Sequence, residues 1–321
     1  MKQLFLSLLS LAFLSGLVSA QTITQSFGTG ANAFSMDFVQ IGNPNNSAAP
    51  YGRPISAGSV PYNYNLGAYE VSRDMIALAN LMGGLGLNMY DMSSQGGNGG
   101  SKPATGINWF GAAKFVNWLN TSSGGTAAYK FDSSGNFQLW TIGDAGYTAS
   151  NPFRNSLARF FLPSSAEWYK GAYGSPSGAW YNYPTAGDSP PIAVTGGTDP
   201  NTAVYNQSFR DGPANINNAG GLSAWGTMAQ GGNVFEWTET AYDGLNDMAN
   251  ENRELRGGSW DSGTYIVSYK LDSMSVLSVN PFDGSDIYFD SYGFRVAMIP
   301  EPSSLSLLAI GGVVLALRRK R

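Results

Sequence analysis

The chain contains the sequence Gly232-Asn233-Val234-Phe235-Glu236-Trp237, in which one acidic residue stands between two large aromatic residues. A carboxylate in such apolar surroundings is expected to be partly buried. A buried charge left without a partner destabilises a protein by about 3–5 kcal/mol. We therefore expect Glu236 either to form an ion pair with an arginine, for which Arg256 and Arg295 are the candidates, or to bind a calcium ion.

A second stretch, Arg256-Gly257-Gly258-Ser259-Trp260, follows the first. Glycine has no Cβ atom, so Gly257 and Gly258 allow two backbone segments to approach closely. Trp237 and Trp260 offer large apolar surfaces, and each has an N–H group that needs an acceptor when it is buried. The two stretches are therefore predicted to be mainly architectural.

Six segments, including these two, follow one another in a characteristic order. They are Tyr69-Glu70-Val71-Ser72, Pro103-Ala104-Thr105-Gly106-Ile107-Asn108-Trp109, Phe161-Leu162-Pro163-Ser164-Ser165-Ala166-Glu167-Trp168, Gly232-Asn233-Val234-Phe235-Glu236-Trp237, Arg256-Gly257-Gly258-Ser259-Trp260 and Gly293-Phe294-Arg295-Val296-Ala297. In this order they resemble the sulfatase-modifying-factor family, which carries the formylglycine-generating-enzyme domain. The resemblance implies an α+β fold, a variant of the C-type lectin fold with low regular secondary structure.

Hydrophobic spacing predicts a helix over residues 69–82, with Glu70 and Arg73 outside its apolar face, and another over residues 108–120. A third helix is expected to begin after Ser164, which forms a capping box with Glu167, and to end by Gly174. Alternation and composition predict strands at residues 264–271, 286–289 and 293–298. No linker divides residues 21–298, which we expect to form a single domain.

The 321 residues include no cysteine and no histidine. These two absences exclude disulfides, thiolate nucleophiles, zinc ribbons and iron–sulfur clusters, as well as Ser-His-Asp triads and histidine-ligated metal centres. With 13% aromatic and only 12% charged residues, the chain is expected to fold, because it has ample apolar area to bury. The functions that these absences leave open are catalysis by carboxylates, lysine or tyrosine, binding of a hard cation, and a role without catalysis.

The N-terminus combines Lys2, an apolar run from Leu4 to Val18, and the small residues Ser19 and Ala20. This pattern predicts a secretory signal peptide at residues 1–20. A buried first helix is the alternative, and the lack of a polar face disfavours it. The mature protein is therefore expected to be exported.

The C-terminus contains the motif Pro300-Glu301-Pro302, an apolar stretch from Leu305 to Leu317 and the basic tail Arg318-Arg319-Lys320-Arg321. The apolar stretch predicts a short transmembrane helix that spans a bilayer only marginally, since about 20 apolar residues are needed to cross it comfortably. Residues 299–321 resemble the PEP-CTERM sorting signal. This implies a Gram-negative envelope, an exosortase-type sorting protease as a partner, and delivery to the cell surface or extracellular matrix. An ordinary tail anchor is the alternative.

Removal of both signals would change the charge of the protein. The two segments hold five of the 18 basic residues and one of the 22 acidic residues, so the formal charge falls from −4 to −8. A strongly acidic surface disfavours binding to nucleic acids, which are themselves polyanions. No nucleic-acid partner is therefore expected.

The resemblance implies a copper site that this chain lacks. Oxidases of the family bind copper through two cysteines that follow the Gly-Gly-Ser-aromatic segment, and these positions fall on Ser262 and Val267. Copper(I) prefers soft thiolate ligands, which neither side chain supplies. We therefore expect no copper and no catalytic residue of the oxidase type.

A calcium site of the family is also only partly present. The carbonyls of Gly232 and Val234 and the carboxylate of Glu236 match its ligands, but Ala229 replaces the upstream side-chain ligand. Calcium takes about 6–8 oxygen ligands. At a second calcium site of the family, Val204 replaces an asparagine ligand, while Asp211 could still match a carboxylate ligand. At most one calcium ion is expected as a cofactor.

The leading hypothesis is an exported protein that uses the family domain as a non-catalytic binding or structural module. Its binding cleft would lie around Ser259, Trp260 and Ser262, with an envelope or matrix glycan or a protein as ligand. Alternatives are an enzyme that acts on envelope polymers or peptides through Glu236, Asp261 or Asp211, and residual formylglycine-generating activity.

Overall fold

The structure is a computed structural model that describes residues 22–50, 57–263 and 290–300. It has three α-helices, α1 (Arg73–Gly83), α2 (Trp109–Ser122) and α3 (Ser165–Tyr173), within these residues. The strands are β1 (Thr22–Phe27), β2 (Phe34–Ile41), β3 (Tyr64–Gly67), β4 (Lys130–Phe131), β5 (Phe137–Gln138), β6 (Phe160–Phe161), β7 (Ile192–Ala193), β8 (Thr202–Ala203), β9 (Phe235–Ala241), β10 (Arg253–Arg256), β11 (Tyr292–Phe294) and β12 (Ala297–Met298). Most strands are short, which confirms the predicted α+β class with low regular secondary structure.

The predicted helices are present, with one correction. Asn108 caps α2 and its Oδ1 accepts from the Gly111 N–H, and the capping box of Ser164 and Glu167 starts α3. The first helix begins at Arg73, after its cap Ser72, and not at residue 69. Glu70 therefore precedes the helix, and Glu70 and Arg73 are both buried instead of facing solvent.

The larger sheet is antiparallel and has the order β1-β2-β3-β12-β6. Helix α2 covers one face through aromatic contacts, such as Phe34 with Phe115 at 6.4 Å between ring centroids. Helix α3 covers the other face, where the Tyr64 hydroxyl donates to the Glu167 carbonyl at 2.5 Å. The sheet thus lies between two helices, with the main core on both sides.

A smaller sheet has the order β10-β9-β11, with β10 antiparallel and β11 parallel to β9. The chain then leaves this sheet and enters the larger one as β12. The single strand predicted over residues 293–298 is therefore wrong: Arg295 and Val296 lie between two strands of different sheets. The strands predicted at residues 264–271 and 286–289 lie outside the described residues.

Candidate functional site

The site is built around Glu236, which β9 places in the centre of the smaller sheet. Arg295 donates to it twice, from Nε to Oε2 at 2.6 Å and from Nη2 to Oε1 at 2.5 Å. The Trp168 indole N–H also donates to Oε2, at 2.7 Å. Both charged side chains are completely buried. Of the two alternatives for Glu236, the structure contains the ion pair.

Glu236, one of the residues assigned to calcium, is already engaged in this arrangement. Both carboxylate oxygens of Glu236 accept from cationic or indole donors, so a calcium ion would have to displace a guanidinium group. Ala229 supplies no side-chain oxygen, and the Val204 carbonyl accepts from the Asn233 N–H at 2.8 Å. Within residues 22–50, 57–263 and 290–300, no group of three or more carboxylates could hold a metal ion. Calcium binding through Gly232 and Val234 stays a prediction.

A second buried carboxylate, Glu70, lies next to this ion pair. The Asn233 side-chain amide donates to Glu70 Oε2 at 2.6 Å, and the Val234 N–H donates to Oε1 at 3.3 Å. Burial, and then the charge of Glu236, raise the pKa of Glu70 well above its usual value, while Arg295 opposes the shift. The hydrophobic spacing of residues 69–82 places Glu70 on an exposed helix face and therefore gives no sign of this contact.

The predicted binding residues Ser259, Trp260 and Ser262 form one buried turn. The Ser262 hydroxyl accepts from the Ser259 N–H at 2.8 Å and lies 2.9 Å from the Ser259 hydroxyl. The Trp260 indole N–H donates to the Phe209 carbonyl at 3.1 Å, and the Phe209 side chain is 46% exposed beside it. The structure therefore brings the three residues together under a partly exposed aromatic ring. Their role as a binding cleft stays a prediction, because the chain after Gly263 up to residue 289 is outside the described residues.

The carboxylates of the alternative enzyme hypothesis have different environments. Glu236 is held in its ion pair, and Asp211 is exposed, where Oδ2 accepts from the Ser208 N–H at 3.1 Å. Asp261 accepts from the Ser259 hydroxyl at 2.6 Å. Burial and the charge of Asp261 raise the pKa of Asp290, so these two carboxylates are electrostatic neighbours. No local sequence pattern pairs Asp261 with Asp290.

Another polar network, outside the predicted site, fixes the start of α3. Arg154 lies between two carboxylates, with Nε 3.3 Å from Glu239 Oε1 and Nη1 3.6 Å from Glu167 Oε1. The Tyr129 hydroxyl donates to Glu239 Oε1 at 2.9 Å. Burial raises the pKa of Glu239, and the nearby Arg154 opposes that shift. Because the members come from distant parts of the chain, no local pattern reveals this network.

Most of the chain matches the model of one protein family. The family model for the sulfatase-modifying factor enzyme 1-like domain matches residues 31–299. The chain belongs to this family. The match includes all six segments quoted from the sequence. Of the two positions predicted for the cysteines of the sulfatase-modifying-factor domain, Ser262 lies in the buried turn and Val267 lies outside the described residues.

Solved structures share the fold of this sulfatase-modifying-factor domain. Variable protein 1 of Treponema denticola has a TM-score of 0.57 at 18% identity, covering 87% of this chain and 99% of that one. CarF has a TM-score of 0.54 at 17% identity, and the match covers 89% of this chain and 100% of CarF. PvdO of Pseudomonas aeruginosa has a TM-score of 0.50 at 15% identity, and the match covers 86% of this chain and 98% of PvdO. At these identities the similarity shows the fold alone. No curated protein matches the sequence.

The PEP-CTERM protein-sorting motif matches residues 299–321. It implies export, membrane-anchored sorting and recognition by exosortase machinery. The Ile299 N–H donates to the Arg159 carbonyl at 2.9 Å, so the first residue of the motif contacts the domain. Pro300 is described, whereas Glu301, Pro302, the predicted segment Leu305 to Leu317 and the predicted signal peptide at residues 1–20 lie outside the described residues. In the part of the chain that the structure describes, no helix has the length and apolarity to cross a membrane.

Proposed function

We propose that this protein is a cell-surface or extracellular-matrix protein whose sulfatase-modifying-factor domain is a non-catalytic binding or structural module. The observation that carries the proposal is the environment of Ser262, at a position where oxidases of the family have a copper-binding cysteine. Its hydroxyl is engaged by Ser259 within a buried turn. The chain has no cysteine that could replace it.

The chemistry of this position supports a role without copper. A serine hydroxyl is a hard, neutral oxygen donor, whereas copper(I) binds soft thiolates. The Ser262 oxygen already accepts the Ser259 N–H, and its residue is only 7% exposed. A metal ion would have to enter this buried turn, and breaking one of its hydrogen bonds costs about 1–3 kcal/mol when the partner is left unsatisfied.

The oxidase activity is tested with the mature protein purified from its native envelope. We incubate it with copper and a peptide that carries a sulfatase cysteine motif, and follow conversion to formylglycine by mass spectrometry. No conversion is expected. The double variant Ser262→Cys with Val267→Cys, which restores both family ligands, is tested in parallel for copper binding. Conversion by the unaltered protein would contradict the proposal.

The binding role needs a separate measurement. We expect mass spectrometry of envelope fractions to find the mature protein in the surface or matrix fraction, and a glycan or protein to be retained with it. Glycan-array and pull-down experiments then identify the retained partner. If no partner rises above background, the binding role fails and a purely structural role remains.

A further inference from the structure

A cleft of about 720 Å³ opens beside the first turns of α2. Its walls come from residues 85–88 after α1, residues 107–114 at the start of α2, the tip of the β4–β5 hairpin at residues 135–138, and residues 249–250 between β9 and β10. The volume falls within the range of about 300–1,000 Å³ found for small-molecule sites. Neither Glu236 nor the turn that contains Ser259 and Ser262 lines it, so the cleft is separate from the site described above.

The one charged side chain among the described residues that line the cleft is a cation, although the chain as a whole is acidic. Lys114 lines it, and no aspartate or glutamate does. Within the described ranges, Lys114 has no carboxylate at ion-pair distance, whereas Lys130 of the β4–β5 hairpin pairs with Asp144 at 2.7 Å. The first turn of α2, which Asn108 caps, adds the partial positive charge of a helix N-terminus. An anionic group would therefore be stabilised here.

The hairpin side of the cleft offers oriented amide groups. The side-chain NH₂ groups of Asn136 and Gln138 both donate to Asp132 Oδ2, at 3.2 Å each. Their NH₂ groups are thus directed to Asp132, and their carbonyl oxygens remain as hydrogen-bond acceptors. Asn88 and Asn250 line the same cleft and are exposed. The amides of Asn88 and Asn250 can donate and accept, and the carbonyl oxygens of Asn136 and Gln138 can accept, which suits a ligand with several hydroxyl groups.

The floor of the cleft is apolar. The half-buried ring of Phe110 lies 6.1 Å from the buried ring of Phe137, measured between centroids. A sugar ring has one face of C–H groups that can cover such an aromatic surface, while its hydroxyls project sideways towards the walls. An acidic peptide could form an ion pair with Lys114, but it would offer fewer hydroxyl groups to the four side-chain amides of the cleft.

We propose that this cleft binds an acidic oligosaccharide, a sugar chain that contains carboxylate groups. Lys114 and the start of α2 bind the carboxylate, the amides of Asn88, Asn136, Gln138 and Asn250 bind hydroxyls, and Phe110 packs against a ring face. This inference rests on the proposed binding role of the domain and gives that role a site and a ligand class.

Isothermal titration calorimetry of the mature protein tests the proposal with trigalacturonate and its methyl ester, which has the same rings without the charge. We expect trigalacturonate to bind at least about tenfold more tightly than the ester, the size of one charge-assisted hydrogen bond. Added salt should weaken the binding of trigalacturonate alone. Lys114→Gln should remove the preference, whereas Lys130→Gln, on the β4–β5 hairpin and in an ion pair with Asp144, should preserve it.

Two results would overturn the proposal. Equal affinity for the acid and its ester would refute the role of Lys114, and no heat of binding for either sugar at millimolar concentration would refute the site. Circular dichroism of both lysine variants checks that each has folded. These outcomes are independent of the oxidase assay and of the partner screen, so this inference can fail while the proposed function stands.

Discussion

Arg295 and Glu236 form a completely buried ion pair that joins the two sheets of the domain. Glu236 lies on β9 of the smaller sheet, and Arg295 lies between β11 and β12, where the chain passes into the larger sheet. Arg295 also donates from Nη1 to the Gly67 carbonyl at 2.8 Å and from Nη2 to the Met228 carbonyl at 2.8 Å. One guanidinium group therefore holds three separate parts of the chain.

We predict that Arg295→Leu lowers the free energy of unfolding by about 3–5 kcal/mol, because it leaves the Glu236 carboxylate buried without a cation. Urea denaturation followed by tryptophan fluorescence measures the change. The control is Lys130→Gln, which breaks the half-exposed pair with Asp144 and should cost about 0–1 kcal/mol. Equal losses for the two variants would show that the buried pair has no special role.

Asn65 on β3 is completely buried, and neither polar atom of its amide has a hydrogen-bond partner among the described residues. Asn65→Leu keeps the branched shape and removes the cost of burying the amide, so we predict a gain of about 1–3 kcal/mol in unfolding free energy.

The matched control for that variant is Asn120→Leu on α2. The Asn120 amide donates to the Phe160 carbonyl at 2.8 Å and accepts from the Phe160 N–H at 2.9 Å. Its replacement should destabilise the protein by about 1–3 kcal/mol, because buried partners are left unsatisfied. Thermal unfolding measures both variants, and a loss of stability in Asn65→Leu would refute the prediction.

Burial lowers the pKa of Lys170 from its usual 10.5 to about 8, although its Nζ donates to the Asn43 carbonyl at 2.9 Å. The folded protein thus favours the neutral amine more than the unfolded chain does. The contribution of Lys170 to stability is therefore fully present above pH 10.5 and is lost as the pH falls towards 8.

Lys170→Met removes this titration. We predict that the unfolding free energy of the wild type, minus that of Lys170→Met, increases as the pH rises from 8 to 10.5. Urea denaturation at several pH values measures the difference, and groups that titrate in both proteins cancel in the subtraction. A difference that stays constant over this interval would show that Lys170 does not titrate abnormally.

Gly232 and Gly257 both have a positive φ, at 102° and 98°, but their surroundings differ. A Cβ atom at Gly232 would overlap the carbonyl oxygen of Val204, whereas at Gly257 it would lie 3.3 Å from the Gln230 carbonyl oxygen and the Trp168 ring. Gly257→Ala is predicted to cost about 1–2 kcal/mol from its backbone conformation. Gly232→Ala should cost about 1–3 kcal/mol more, because backbone atoms must move. Urea denaturation ranks the two, and an equal cost would contradict the overlap.

Local signals predicted the helices well and the strands poorly. The caps Asn108 and Ser164 lie within three residues of the groups they satisfy, so short stretches of sequence reveal them. β1 and β2 were missed, and β12 has only two residues, whose partners on β3 and β6 are far away in sequence. Such pairing depends on tertiary structure. For the same reason, the sequence placed Glu70 on an exposed face, although it is buried beside Asn233.

The sequence by itself determined the family, through six ordered segments, and the absence of copper-binding thiolates, because a chain without cysteine cannot supply them at any position. It also identified the sorting motif, which is a linear signal. Only the tertiary structure decided which arginine neutralises Glu236. Arg256 lies opposite Glu236 in the β9–β10 register but pairs with Glu254, whereas Arg295 reaches Glu236 from the crossing between the sheets. The sequence held both candidates, and the choice depended on where the folded chain directs each side chain.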